Sequence, residues 1–201
     1  LLILCIMANF KIPFFQKNDK VVEEKNNTES STSNFKTYPK EVVIPENMTY
    51  LGYEYSRTNI EKVFIHASVD SIQGYAFAGC NSLKKIEVDP ANPNFWVKDD
   101  FVIAKNYKTY TKEVSNAAVA FVKHTKDLVI PEGVEYIGEG LFSYSDITSV
   151  TIANSVIDTG GEIFLNCHNL ETIIIGDGLK NINSWCFKGC DNLKEIKVSP
   201  N

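Results

Sequence analysis

The side chains with the most chemical capacity in this 201-residue chain are five cysteines and three histidines. Cys80, Cys167 and Cys190 each follow a phenylalanine by three positions, as Phe77-x-x-Cys80, Phe164-x-x-Cys167 and Phe187-x-x-Cys190. A thiol at a fixed offset from a ring is placed by the same local structure each time, and unpaired cysteine behaves as a small buried apolar group. Cys167 and Cys190 stand in consecutive copies and can approach disulfide range, although register alone does not fix the geometry a disulfide needs. Cys186 and Cys190 lack two further ligands at a spacing that would close a zinc tetrahedron. His66, His124 and His168 have no sequence-adjacent Ser, Cys or carboxylate arranged as nucleophile and base. Gly160-Gly161 lies where the chain turns, not in a phosphate-cradling loop. The chain is therefore expected to work without a catalytic centre, a metal or a cofactor.

Hydrophobic residues make up 44% of the chain and charged residues 22%, which excludes collagen-like, wholly disordered and polytopic membrane classes. A net charge of −5 leaves no basic footprint for nucleic acid or an anionic bilayer. The odd cysteine count leaves at least one thiol without a partner in the chain. Leu1-Leu2-Ile3-Leu4-Cys5-Ile6-Met7-Ala8 is far short of the ~20 apolar residues that span a bilayer. Residues 1–15 are expected to be the remnant of a signal peptide or membrane anchor, with a short buried strand or a stub as the alternative. Cys5 invites a lipid anchor, but Leu4 stands where a lipidated cysteine has a small residue. Residues 16–40 are rich in Lys, Asn, Glu, Ser and Thr and cannot bury enough apolar area to offset ordering, so a flexible polar tether is expected. Asn26-Asn27-Thr28 and Asn47-Met48-Thr49 match the glycosylation acceptor pattern at a frequency near chance for an Asn-rich chain.

What positions the thiols is a repeat. Apolar triplets begin at residues 42, 63, 86, 128, 150, 173 and 196, so the intervals are 21, 23, 42, 22, 23 and 23. One interval is doubled and the rest agree within two residues. Ile72 to Val88 aligns with Ile182 to Val198; Thr159 to Ile175 follows the same scheme, and Ile137 to Ile152 is one residue shorter, with Ser145 in the cysteine position. The first unit departs most, with Ser56 where phenylalanine is expected. In each triplet the outer residues alternate inward along a strand and the middle one faces out. Phe77, Phe142, Phe164 and Phe187 then form an interior column, and one unit cannot bury its apolar face without neighbours. The outward set is Phe64, Glu87, Val129, Thr151, Ile174 and Lys197, flanked by His66, Lys85, Asp127 and Glu195. These are the candidate binding residues, with His66 among them at a strand exit.

The pattern Ile-Gly-x-x-Ala-Phe-x-x-Cys-x-x-Leu-x-x-Ile-x-Ile-Pro closely resembles the BspA-type leucine-rich repeat of surface and secreted proteins. Ile44-Pro45-Glu46-Asn47 and Ile130-Pro131-Glu132-Gly133 match that family's strand exit, and Asn92-Pro93-Asn94-Phe95 matches the entry to its β-hairpin insertion. The resemblance implies a β-rich solenoid over residues 41–201. It would be a right-handed leucine-rich-repeat array with parallel β-strand rungs, one β-hairpin insertion at about 89–122, and further rungs beyond 201. Thr159 and Ile163 depart from the family's usual isoleucine and alanine. The implied function is a non-enzymatic, secreted or cell-surface protein-binding or adhesion module. Its partner would be a host, matrix or other cell-surface protein, and it would touch a membrane only through an N-terminal anchor. Two alternatives stay open: an accessory binding module of a longer extracellular enzyme, and an intracellular scaffold in which the thiols remain reduced.

Overall fold

The computed structural model describes residues 38–109, 112–122, 126–180, 182–183 and 185–198, all within the compact unit Asn34–Asn201. Residues 1–37, and with them the expected leader and most of the expected tether, lie outside the described residues. The described chain runs through β1 (Glu41–Val43), β2 (Tyr50–Leu51), β3 (Lys62–Ile65), β4 (Ser71–Ile72), β5 (Lys85–Val88), β6 (Phe95–Lys98) and β7 (Phe101–Lys108). It continues through β8 (Glu113–Phe121), β9 (Asp127–Val129), β10 (Tyr136–Ile137), β11 (Ser149–Ile152), β12 (Asp158–Thr159), β13 (Thr172–Ile175) and β14 (Glu195–Val198).

Every triplet becomes a rung of a parallel sheet. β1, β3 and β5 stack in register as Val42, Val63 and Ile86, and β9, β11, β13 and β14 as Leu128, Val150, Ile173 and Ile196. The alternation holds: Val63, Ile65, Val150 and Ile173 are buried, while Val129 and Ile174 between inward neighbours are exposed. Short strands at the second corner pair the same way, β2 with β4 and β10 with β12.

Ring stacking carries the core along the third side. Phe142 lies 5.3 Å from Phe164 and Phe164 lies 5.9 Å from Phe187, with interplanar angles of 12° and 7°. Tyr55, not Ser56, supplies the first ring, stacked 5.9 Å from Phe77. The repeat is one residue out of the register read from sequence there, because a tyrosine replaces the phenylalanine and Thr58 replaces the cysteine. The Phe-to-Cys offset also has a hydrogen-bonding cause. The thiols of Cys80, Cys167 and Cys190 donate to the carbonyls of Tyr55, Phe142 and Phe164 on the preceding ring-bearing rung, at 2.9, 2.9 and 3.1 Å. The residue before each of these thiols, and before Thr58 and Ser145 at the same place in their rungs, is left-handed: Arg57, Gly79, Tyr144, Asn166 and Gly189. Glycine adopts this conformation without strain, and the other three are held in it by the stacked turns.

The doubled interval holds more than the hairpin expected for residues 89–122. β6, β7 and β8 form a three-stranded antiparallel meander, and β8 pairs in parallel with β10 at Ala117–Tyr136 and Ala118–Ile137. The meander is entered through Asn92, whose side chain donates to the carbonyls of His66 and Val69 at 2.9 and 3.1 Å and accepts from the N–H groups of Asn94 and Phe95. Asp99 and Asp100, both at positive φ, make its tight acidic turn. β7 is buried on both faces over Phe101–Ala104: Val102 and Ala104 belong to the N-terminal core, Phe101 and Ile103 to the C-terminal one. The insertion thus occupies the place of a missing rung and walls one core from the other.

At the first rung, Tyr38 packs 5.5 Å from Tyr55 and donates its hydroxyl to the Glu54 carbonyl, while Lys40 pairs with Glu61 at 2.5 Å. Residues 38–40, assigned to the tether from composition, are therefore part of the folded body. Phe77, Phe142 and Phe164 are buried, but Phe187 is only partly so, since no described rung stacks on its far side. Replacing Phe164 with alanine should cost ~3–5 kcal/mol, because both neighbouring rings hold the cavity open. Hydrogen exchange should then show lost protection centred on residues 137–198, whereas uniform loss from residue 41 onward would mean a single cooperative unit.

Candidate binding faces

The outward positions fall on two sheets. Phe64 and Glu87 face outward beside each other on the first, in register with Val43 on the neighbouring strand. Val43 is 63% exposed and belongs to this face; it is the middle residue of the first triplet, so the same alternation could have found it. Lys62 lies 3.5 Å from Glu87 and Lys85 also pairs with it, and the adjacent Lys85 ammonium is the chief cause holding the Glu87 carboxyl below the usual range. On the second sheet Val129, Thr151, Ile174 and Lys197 form one in-register row. Val129 is 62% exposed and Ile174 37%. The next row along the same strands is polar, Asp127, Ser149, Thr172 and Glu195, with Ser149 donating its hydroxyl to Asp127 at 2.7 Å. The single continuous face expected from sequence is thus divided: hydrogen-bonded pairing does not run from β5 to β9, and the meander lies between them in sequence and in the core.

His66 sits at the exit of β3, apart from the second-sheet row. Its Nδ1 accepts the Ser68 backbone N–H at 3.2 Å and lies 3.1 Å from the Ser68 hydroxyl, while Nε2 is 3.6 Å from the Glu46 carboxylate. Serine, histidine and carboxylate are adjacent here, but the ring's acceptor nitrogen is engaged by the backbone of its own turn. His168 pairs with Asp191 at 2.7 Å on an exposed loop, and His124 lies outside the described residues.

The thiols follow the same logic. Burial pushes Cys80, Cys186 and Cys190 up from the ordinary thiol range and drives Cys167 up to about 12, so they are neutral near pH 7 and weak nucleophiles. All four are free, and among the described residues no group of three or more His, Cys, Asp or Glu side chains is placed to hold a metal ion. Iodoacetamide at neutral pH should leave Cys80, Cys167 and Cys186 unmodified in the folded protein and label them in urea, read by peptide mass. Rapid native labelling of Cys167 would reveal an activated thiolate and contradict its role as a core donor.

Comparison with solved structures agrees on the fold. A leucine-rich repeat protein from Eubacterium ventriosum superposes with a TM-score of 0.57 at 20% identity, over 78% of this chain and 47% of that one. A leucine-rich cell surface protein from Faecalibacterium prausnitzii gives 0.49 at 19% identity, over 78% of this chain and 53% of that one. This chain therefore spans about half the length of these relatives. None of the curated proteins compared matches the sequence. A family model for the BspA-type leucine-rich repeat region matches residues 18–95 and 112–201 in six copies. With parallel rungs, the ring column and a sequence match over most of its length, the chain belongs to the BspA-type leucine-rich repeat family.

Proposed function

We propose that this chain is a non-enzymatic protein-binding module, secreted or held at a cell surface, that grips a protein ligand with its second sheet. The observation carrying this reading is the row Val129–Thr151–Ile174 on strands locked in register, with Val129 and Ile174 exposed, ending at Lys197 and bordered by Asp127 and Glu195. Two exposed β-branched side chains held by buried neighbours on either side lose little side-chain freedom on docking. The polar row beside them sets orientation and excludes mismatched partners. The first sheet, with Val43, Phe64 and the Lys62–Glu87–Lys85 pairs, offers a second patch of the same kind. The family resemblance supports a host, matrix or other cell-surface protein as the partner, and supports the extracellular setting.

The test is a double variant, Val129→Lys with Ile174→Lys, screened against immobilised matrix and cell-surface proteins by biosensor. Both sites are solvent-exposed, so stability should change by less than about 1 kcal/mol. Affinity for any captured protein should fall by about tenfold or more, as expected when central apolar contacts are lost. A captured ligand that binds the variant as tightly as the parent would move the site off this sheet.

A further inference from the structure

On the ring-bearing side each rung exchanges two hydrogen bonds with the next. The N–H at the left-handed position donates forward, Arg57 to Ala78, Tyr144 to Leu165 and Asn166 to Lys188, at 2.8, 2.8 and 2.7 Å. The thiol of the next rung donates back to the carbonyl of the ring residue, as at Cys80, Cys167 and Cys190. Among the described residues, neither bond forms where the rung of residues 72–88 meets the rung of residues 137–152. The register there pairs Gly79 with the Ser143 carbonyl and Ser145 with the Phe77 carbonyl. Gly79 is buried, and its N–H has no acceptor among the described residues. The Phe77 carbonyl accepts the Cys80 N–H of its own turn at 3.1 Å and, among the described residues, no second donor. Ser145 is 4% exposed; its oxygen accepts the Ile147 N–H at 3.4 Å, and its proton has no acceptor among the described residues.

These three residues border one cavity of about 10 Å³, whose other walls are Cys80, Asn81 and Phe121. The contacts around it fix the two rungs without closing the gap. The Arg57 guanidinium lies 4.8 Å from the Tyr144 ring centroid, and a Cβ on Gly79 would lie 2.9 Å from the Tyr144 Cβ. The Asn81 side chain donates to the Tyr144 carbonyl at 3.1 Å and accepts the Asp146 N–H at 3.3 Å. Phe121, arriving from the meander, meets Phe142 at 5.1 Å and brings a ring to this place but no hydrogen-bonding group from its side chain.

We infer that this cavity is a binding site for a single water molecule, which accepts from the Gly79 N–H and the Ser145 hydroxyl and donates to the Phe77 carbonyl. The volume is about the least that admits one water, and it excludes anything larger. No charged side chain lines the cavity, so an ion finds no counter-charge there. A buried N–H left unpaired is costly, and buried waters stand where two to four otherwise unsatisfied polar groups converge. The water thus takes the place of both missing bonds between the rungs. Serine at this position fits the role, since its small oxygen leaves space that the sulfur of a thiol would fill.

The test is a water-to-amide Overhauser measurement on the isotope-labelled full chain, joined to a high-resolution crystal structure. The Gly79 amide should show a cross-peak of the sign that marks a long-lived bound water. The amides of Arg57, Tyr144 and Asn166, which donate to carbonyls, should show none. The crystal should show one solvent peak within about 3.2 Å of Gly79 N, Phe77 O and Ser145 Oγ. Ser145→Cys should fill the space and abolish the Gly79 cross-peak; the measurements on the parent chain decide the matter if that variant does not fold. A direct Gly79-to-Ser143 hydrogen bond with no solvent peak would overturn the inference. So would an ion at the site, or a Gly79 cross-peak that survives in folded Ser145→Cys.

Discussion

The structure depends on in-register stacking, in which each rung buries its apolar side chains against the equivalent side chains of the rungs beside it. A rung of about twenty-two residues, the usual length in such arrays, has no core of its own. The rings of Phe142, Phe164 and Phe187 can stack nearly parallel only because their backbones repeat at the same height and angle. The thiol-to-carbonyl bonds need the same repetition, since the Cys167 donor and the Phe142 acceptor sit on different rungs. The left-handed position before each thiol, and before Ser145 in the same place, is imposed even on Tyr144, a residue that adopts it at a cost. A missing rung would leave two apolar faces open. The β7 segment Phe101–Ala104 closes both at once by turning alternate side chains to opposite cores.

That solution shapes the surface as well as the interior. The meander pairs with β10 at the second corner and with neither β5 nor β9, so on the sheet side two shorter faces result, each with its own chemistry. The first is laced with lysine–glutamate pairs that satisfy one another, and the second presents exposed apolar groups in a row. On the opposite flank the turns before and after the meander close up through Gly74 and Gly138, and the Tyr75 ring crosses Gly140 to reach the Glu162 carboxylate. Glycine is needed there because backbone approaches backbone, and at Gly140 because a tyrosine ring crosses it.

Much of this was legible in the sequence, and the limits have physical causes. The triplets and the Phe-x-x-Cys offset were readable because stacking forces the copies to repeat their spacing and, in most of them, their residue types. The outward set followed from strand alternation alone; Val129 and Ile174 are exposed, while Phe64, Glu87 and Thr151 are half-buried. The first rung was misread because tyrosine and threonine stand there in the positions of phenylalanine and cysteine, and Thr58 donates to the Tyr55 carbonyl at 2.8 Å within its own turn instead of across to another rung. The depth of the meander was not readable, since a run such as Phe-Val-Ile-Ala fits an exposed hairpin edge as well as a strand buried on both faces. Phe121, which meets Phe142 at 5.1 Å and joins the ring column from outside the repeat, could not be found by periodicity at all. The boundary of the folded body was placed late because Tyr38 is one aromatic residue in a polar stretch, and its docking on Tyr55 is a tertiary event.

The central claim is that the meander is a rung of the core and not an appendage, and native-state hydrogen exchange measures it directly. The amides of Val102, Ile103 and Ala104 should exchange in the slowest class, together with those of Val150 and Ile173, because opening β7 exposes both cores at once. Exchange of these β7 amides at rates typical of a surface loop, with Val63 and Val150 still protected, would show two cores that stand without the wall and would contradict the account.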